Sequence, residues 1–132
     1  MALGFVPSAI NQGHMQGWEY KGAAAEAFTV GEALKINSSG YLTKASGTDT
    51  PKYISMFQGT VTAAGTEIPA IAVDHDALYD VPSSEAMTSR KVGEKVTIYT
   101  DGAKITATTT SGVAEIVKLP DTASGGIVTV RL

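Results

Sequence analysis

Cysteine is absent from the 132 residues. That excludes a disulfide framework, a thiolate metal site and a cysteine nucleophile. Charge is scarce as well: Asp, Glu, Lys and Arg make up 17% of the chain and the formal net charge is -3, where an average soluble domain carries about 25% charged residues. Such a chain lacks the basic stripe that neutralises phosphates, so nucleic acid is not expected as a partner. Histidine occurs only at positions 14 and 75, which leaves a Ser-His-Asp triad little to recruit. No Gly-x-Ser-x-Gly elbow and no Gly-x-x-x-x-Gly-Lys-Ser/Thr phosphate loop is present. No apolar run approaches the roughly 18 residues of a membrane span. The start of the chain has no basic segment, and Pro7, Asn11 and Gln12 interrupt its apolar residues, so no secretory signal is expected. The reading is a non-enzymatic soluble protein with no catalytic residue, no metal and no cofactor, binding neither nucleic acid nor membrane.

Helix signals are equally thin. Ala23–Ala27 and Ser84–Met87 offer one turn each, far short of the roughly 12 to 15 residues that an isolated helix needs. What the chain does contain is short β-like runs punctuated by 14 glycines, at the spacing of a small sandwich or barrel. In Val96–Thr100 and Lys104–Thr108 apolar and polar residues alternate. Asp101-Gly102 between them is a preferred type I′ hairpin dipeptide. A two-residue loop sets Ile98 opposite Ile105 and Val96 opposite Ala107 on a core face. Thr97 then faces Thr106, and Tyr99 faces Lys104, on a wet one. A second hairpin is predicted over Ala33–Ala45, with Gly40 at the left-handed loop position and Ile36 opposite Leu42. Further runs fall at Tyr53–Gln58, Glu67–Val73, Glu115–Leu119 and Ile127–Leu132, Pro69 marking its run as an edge or a bulge. Val30-Gly31-Glu32 and Val92-Gly93-Glu94 form a weak internal echo.

The first 24 residues differ from the rest. They carry two formal charges, Glu19 and Lys21, but include Phe5, Val6, Ile10, Met15, Trp18 and Tyr20, the tryptophan being the sole one in the chain. Disordered tails are usually charged and poor in aromatics. Two readings follow: a segment folded back over its own domain, or an extended arm (1–24) whose six apolar residues bind a partner, ahead of a single β domain (25–132). The expected architecture is all-β, a small sandwich or barrel of short antiparallel strands with one or two helical turns and that arm.

One polar cluster stands out, Asp74-His75-Asp76, with Asp80 nearby. Alternate carboxylates and an imidazole suit a divalent cation or a cation-dependent hydrolase. On a strand, however, His75 points away from both carboxylates, and no second histidine lies at chelating distance, so a solvent-facing turn is the plainer expectation. The polar turns Ser46–Thr50 and Thr108–Gly112 suit a carbohydrate-binding module, but without the aromatic platform that sugars usually require.

The segment Val30–Ala45, with its Gly-x-x-Leu-x-Ile and Gly-x-Leu-x-Lys-Ala halves, followed by Tyr53-Ile54-Ser55 and Ile68–Val73, resembles the head-decoration, or capsid-cement, proteins of tailed bacteriophages. The likeness covers about residues 29–82. It implies a structural protein on the outer capsid surface of a virion, often a homotrimer, that binds the major capsid protein and clamps neighbouring subunits. On that expectation the arm docks on neighbours by adding a strand to a sheet edge, its aromatic residues filling pockets.

Overall fold

The computed structural model describes residues 4–9 and 18–132, so expectations concerning Ile10, His14 and Met15 lie outside the described residues. Its strands are β1 (Val6–Ala9), β2 (Glu19–Ala23), β3 (Ala27–Phe28), β4 (Ala33–Ile36), β5 (Leu42–Lys44), β6 (Tyr53–Ser55), β7 (Gly59–Thr60), β8 (Thr66–Ala72), β9 (Leu78–Pro82), β10 (Lys95–Val96), β11 (Ala114–Lys118) and β12 (Ile127–Arg131). The fold is all-β, and no helix occurs among the described residues. The two helical turns expected from sequence are replaced by strand ends and bends. Ala23 ends β2, paired with Thr66 on one side and Leu42 on the other. Met87 is fully buried in the core, its N–H donating to the Thr122 carbonyl. Segments this short have no helical hydrogen bonds that outweigh such tertiary partners.

Five strands close into a barrel in the order β2-β5-β4-β6-β8. Its local seed is the β4–β5 hairpin, in the expected register of Ile36 opposite Leu42. Asn37 Oδ1 accepts the N–H groups of Ser39 and Tyr41 at 2.9 and 3.0 Å, and Gly40 adopts φ +83°, the conformation that a side chain disfavours. Closure comes from β2, which runs antiparallel to β8 and meets β5 in parallel at Ala23 and Leu42. Ala23, Leu34, Leu42, Ile68 and Ala70 fill the barrel interior together with Phe28 and Val61. Pro69 lies within β8 with strands on both sides, rather than at an edge or a bulge. Its carbonyl accepts the N–H of Met56, one residue beyond the end of β6. N–H and C=O of one antiparallel residue point the same way, so the missing proline donor falls where the β6 ladder has already stopped.

Five of the remaining strands form an antiparallel sheet in the order β1-β9-β12-β11-β10. Alternation along β9, β11 and β12 turns Tyr79, Val81, Ala114, Ile116, Val128 and Val130 into a core shared with Ala33, Ala45 and Ile54 from the barrel wall. The molecule thus has two apolar centres, one inside the barrel and one between barrel and sheet. Full burial of each of the valine, leucine and isoleucine side chains stabilises the fold by roughly 1.5–3 kcal/mol. Strand β1 reaches this sheet from the far end of the chain, Val6 pairing with Asp80 and Pro7 with Tyr79.

The hairpin predicted over residues 96–108 forms with Ile98 bridging Ile105, both buried. On its other face the Thr97 and Thr106 hydroxyls are 2.7 Å apart, and the Lys104 ammonium lies 5.5 Å from the Tyr99 ring centre. Its turn is not type I′. Gly102 has φ +72° but Asp101 is not left-handed, because the Asp101 side chain accepts the Ala103 N–H at 2.8 Å and Gly102 N–H donates to the Tyr99 carbonyl. An Asx-type bond thus supplies what a second left-handed residue would have. The Val-Gly-Glu echo is local. Both glycines have positive φ and both glutamates close the same kind of turn, onto Thr29 and Lys91, yet one turn leads into the barrel and the other into the sheet.

Candidate functional site

The apolar residues singled out near the start of the chain separate in space. Phe5 is 1% exposed and belongs to the core between sheet and barrel, its N–H donating to the Gly31 carbonyl at 2.8 Å. It presents no surface to a partner. Val6 is exposed on β1, while Ile10 and Met15 lie outside the described residues. Trp18 and Tyr20 are 59% and 63% exposed. Residues 19–23 are themselves a barrel strand, so this part of the 1–24 segment is built into the fold.

Strand geometry explains the split along β2. Within the strand Tyr20 points to the side opposite Glu19 and Lys21, and the exposed Trp18 immediately precedes it. Lys21 lies 5.7 Å from the centre of the Tyr53 ring and 3.7 Å from Glu19. Hydrogen bonding and charge at Tyr53, with Glu19 adding to them, hold the Lys21 ammonium above its ordinary pKa. Glu19 and Lys21 pair with each other while staying partly exposed, and Tyr20 is offered outward beside Pro69, the residue opposite it.

The acidic turn is arranged for structure. Asp74 Oδ1 accepts the Asp76 N–H at 2.9 Å, the Tyr79 hydroxyl accepts the Asp74 N–H at 3.2 Å, and His75 Nδ1 lies 2.9 Å from the Leu132 carbonyl oxygen. Burial raises the Tyr79 pKa. Asp80 is engaged elsewhere, accepting the Thr129 hydroxyl at 2.6 Å. No group of three or more metal-ligating side chains that could hold an ion occurs among the described residues.

A second region, which sequence reasoning missed, lies where barrel and sheet meet. A cavity of about 360 Å3 is lined by Gly4, Val30, Gln58, Pro82 and Lys104 among others. Beside the hairpin tip that contributes Lys104, Glu32 is 2% exposed, and its Oε1 has no hydrogen-bond partner. Lys44 Nζ lies 4.0 Å from Oε2. Burial pushes the Glu32 carboxyl up to about 7, with Lys44 and a backbone bond to Thr29 opposing the rise and Glu26 and Asp101 adding to it. The available sequence signal was its position directly before the apolar pair Ala33-Leu34, in a turn that has to pack against something. Among known proteins, no family model matches the chain and no curated protein matches it.

Proposed function

We propose that the protein is a non-enzymatic structural component of a virion, docking on the outer surface of a capsid shell and stabilising contacts between major capsid subunits, with a homotrimer as the working unit. The observation that carries this reading is the exposed pair Trp18 and Tyr20 at the start of barrel strand β2. Rigidly held aromatic groups are the residue types that dominate interface energies, since little side-chain entropy is lost when they seat in a pocket. The likeness of Val30–Ala45 to capsid-cement hairpins supplies the partner class. Repetition over a shell multiplies a modest single-site affinity by avidity.

The test is co-sedimentation with shells assembled from the major capsid subunit encoded in the same viral genome. The protein is expected to travel with the shells, and Trp18→Ala with Tyr20→Ala to weaken binding at least tenfold. A wild-type protein that stays at the top of the gradient overturns the reading. Binding to a glycan array in place of shells would transfer the same two rings to a carbohydrate-binding module.

A further inference from the structure

We propose that Glu32 works as a pH-operated latch, seating the tip of the 98–105 hairpin on the barrel when neutral and weakening that seat when ionised. The tip is held where Glu32 is. The Ala33 N–H donates to the Gly102 carbonyl at 2.8 Å, and Gly102 fits so closely that a Cβ there would lie 2.9 Å from Lys44 Cγ and 3.0 Å from Glu32 Cγ. Glu32 Oε1 is itself buried without a hydrogen-bond partner. A buried carboxyl in that position is tolerated when neutral and destabilising when charged.

The charged groups around it do not rescue the ionised form. Lys44, from β5, lies 4.0 Å from Glu32 Oε2, and its side chain is itself partly exposed. Glu26, from the β2–β3 turn, accepts the Thr43 hydroxyl at 2.6 Å and the Lys44 N–H at 3.0 Å, adding a carboxylate on the same side. Asp101, from the tip, adds another, and the neighbouring Lys104 is committed to Asp101 by an ion pair. Ionisation therefore favours moving the tip away and admitting water. The hairpin body stays in place, because Ile98 and Ile105 are buried and Gly47 exchanges two backbone hydrogen bonds with Ile98. Ala103 and Lys104 line the cavity, so release of the tip widens it above neutral pH.

The experiment is amide exchange and resonance titration by NMR on the intact protein. With a carboxyl that titrates near 7 when the tip is seated and near its ordinary 4.5 when it is free, Ala33 protection, after correction for intrinsic exchange, falls about tenfold between pH 6 and pH 8. The Ala33 and Gly102 amide resonances shift with a midpoint near 7. In Glu32→Gln both responses are flat. A flat wild-type response, or one that survives in Glu32→Gln, overturns the latch. Direct observation of the Glu32 carboxyl carbon in the wild type keeps the test independent of whether the variant folds, and a midpoint below 5.5 would sink the proposal.

Discussion

Gly4 is pressed against Gly31: a Cβ at Gly4 would lie 2.2 Å from the Gly31 carbonyl oxygen, and Gly4 has φ +83°. The same carbonyl accepts the Phe5 N–H at 2.8 Å, so this contact sets the entry of Phe5 into the core. Gly4→Ala combines a backbone clash with a disfavoured conformation. It should destabilise the protein by roughly 1–3 kcal/mol, read as a lowered midpoint in urea unfolding. An unchanged midpoint would show that Phe5 seats without this contact.

Global stability should depend on pH through Glu32. Its native pKa is raised from 4.5 to about 7, so between those values the native state holds a proton that the unfolded state has lost. Stability is therefore greatest below about pH 4.5 as far as this group is concerned, falls as pH rises towards 7, and levels off above it. The full span is about 3 kcal/mol. Urea unfolding at pH 5, 6, 7 and 8 measures it, and Glu32→Gln should remove this component of the slope.

Trp18 and Tyr20 should behave oppositely to Phe5. Both are more than half exposed, so alanine at either should change the unfolding free energy by no more than about 0.5 kcal/mol. Phe5→Ala, by contrast, should cost about 3–5 kcal/mol. Calorimetric melting of the three variants separates a surface role from a core role. A large loss of stability in Trp18→Ala would mean that its ring supports the fold.

Thr97 and Thr106 should be coupled. Their hydroxyls meet at 2.7 Å on the polar face of the hairpin, where Thr97 is buried and not wet as the alternation suggested, and Thr106 Oγ1 also accepts the Thr108 N–H at 3.0 Å. A double-mutant cycle with valine at each position should return about 0.5–1 kcal/mol of interaction. A value near zero would show that water replaces the bond without loss.

The 74–76 turn gives a direct check on cation binding. The Asp76 N–H already occupies Asp74 Oδ1, and His75 is directed at Leu132. Millimolar calcium, magnesium or zinc should leave the melting midpoint unchanged. A rise that grows with ion concentration would be the signature of a bound ion and would restore the alternative that sequence raised.

Both hairpins could be read before the structure because their information is short-range. Alternation assigns the faces, and Asn37 to Gly40 or Asp101-Gly102 sets the turn, so Ile36 meets Leu42 and Ile98 meets Ile105 within ten residues of chain. The exposed aromatic residues were legible only as candidates. Phe5 and Trp18 look alike in sequence, and nothing local distinguishes a ring that fills a core from one that faces solvent.

What the sequence determined by itself was the class of the fold and the hairpin pairings of Ile36 with Leu42 and Ile98 with Ile105. Tertiary structure alone decided that Val6–Ala9 pairs with β9 some seventy residues away, that Pro69 fits inside a closed barrel, and that Glu32 lies buried under the hairpin tip. The reason is physical: strand pairing and desolvation depend on which surfaces meet after the chain has turned back on itself. That partner choice is written in no single segment. The scarcity of charge that marked the chain at first sight thus has a structural counterpart, a buried carboxyl that Lys44 approaches only to 4.0 Å.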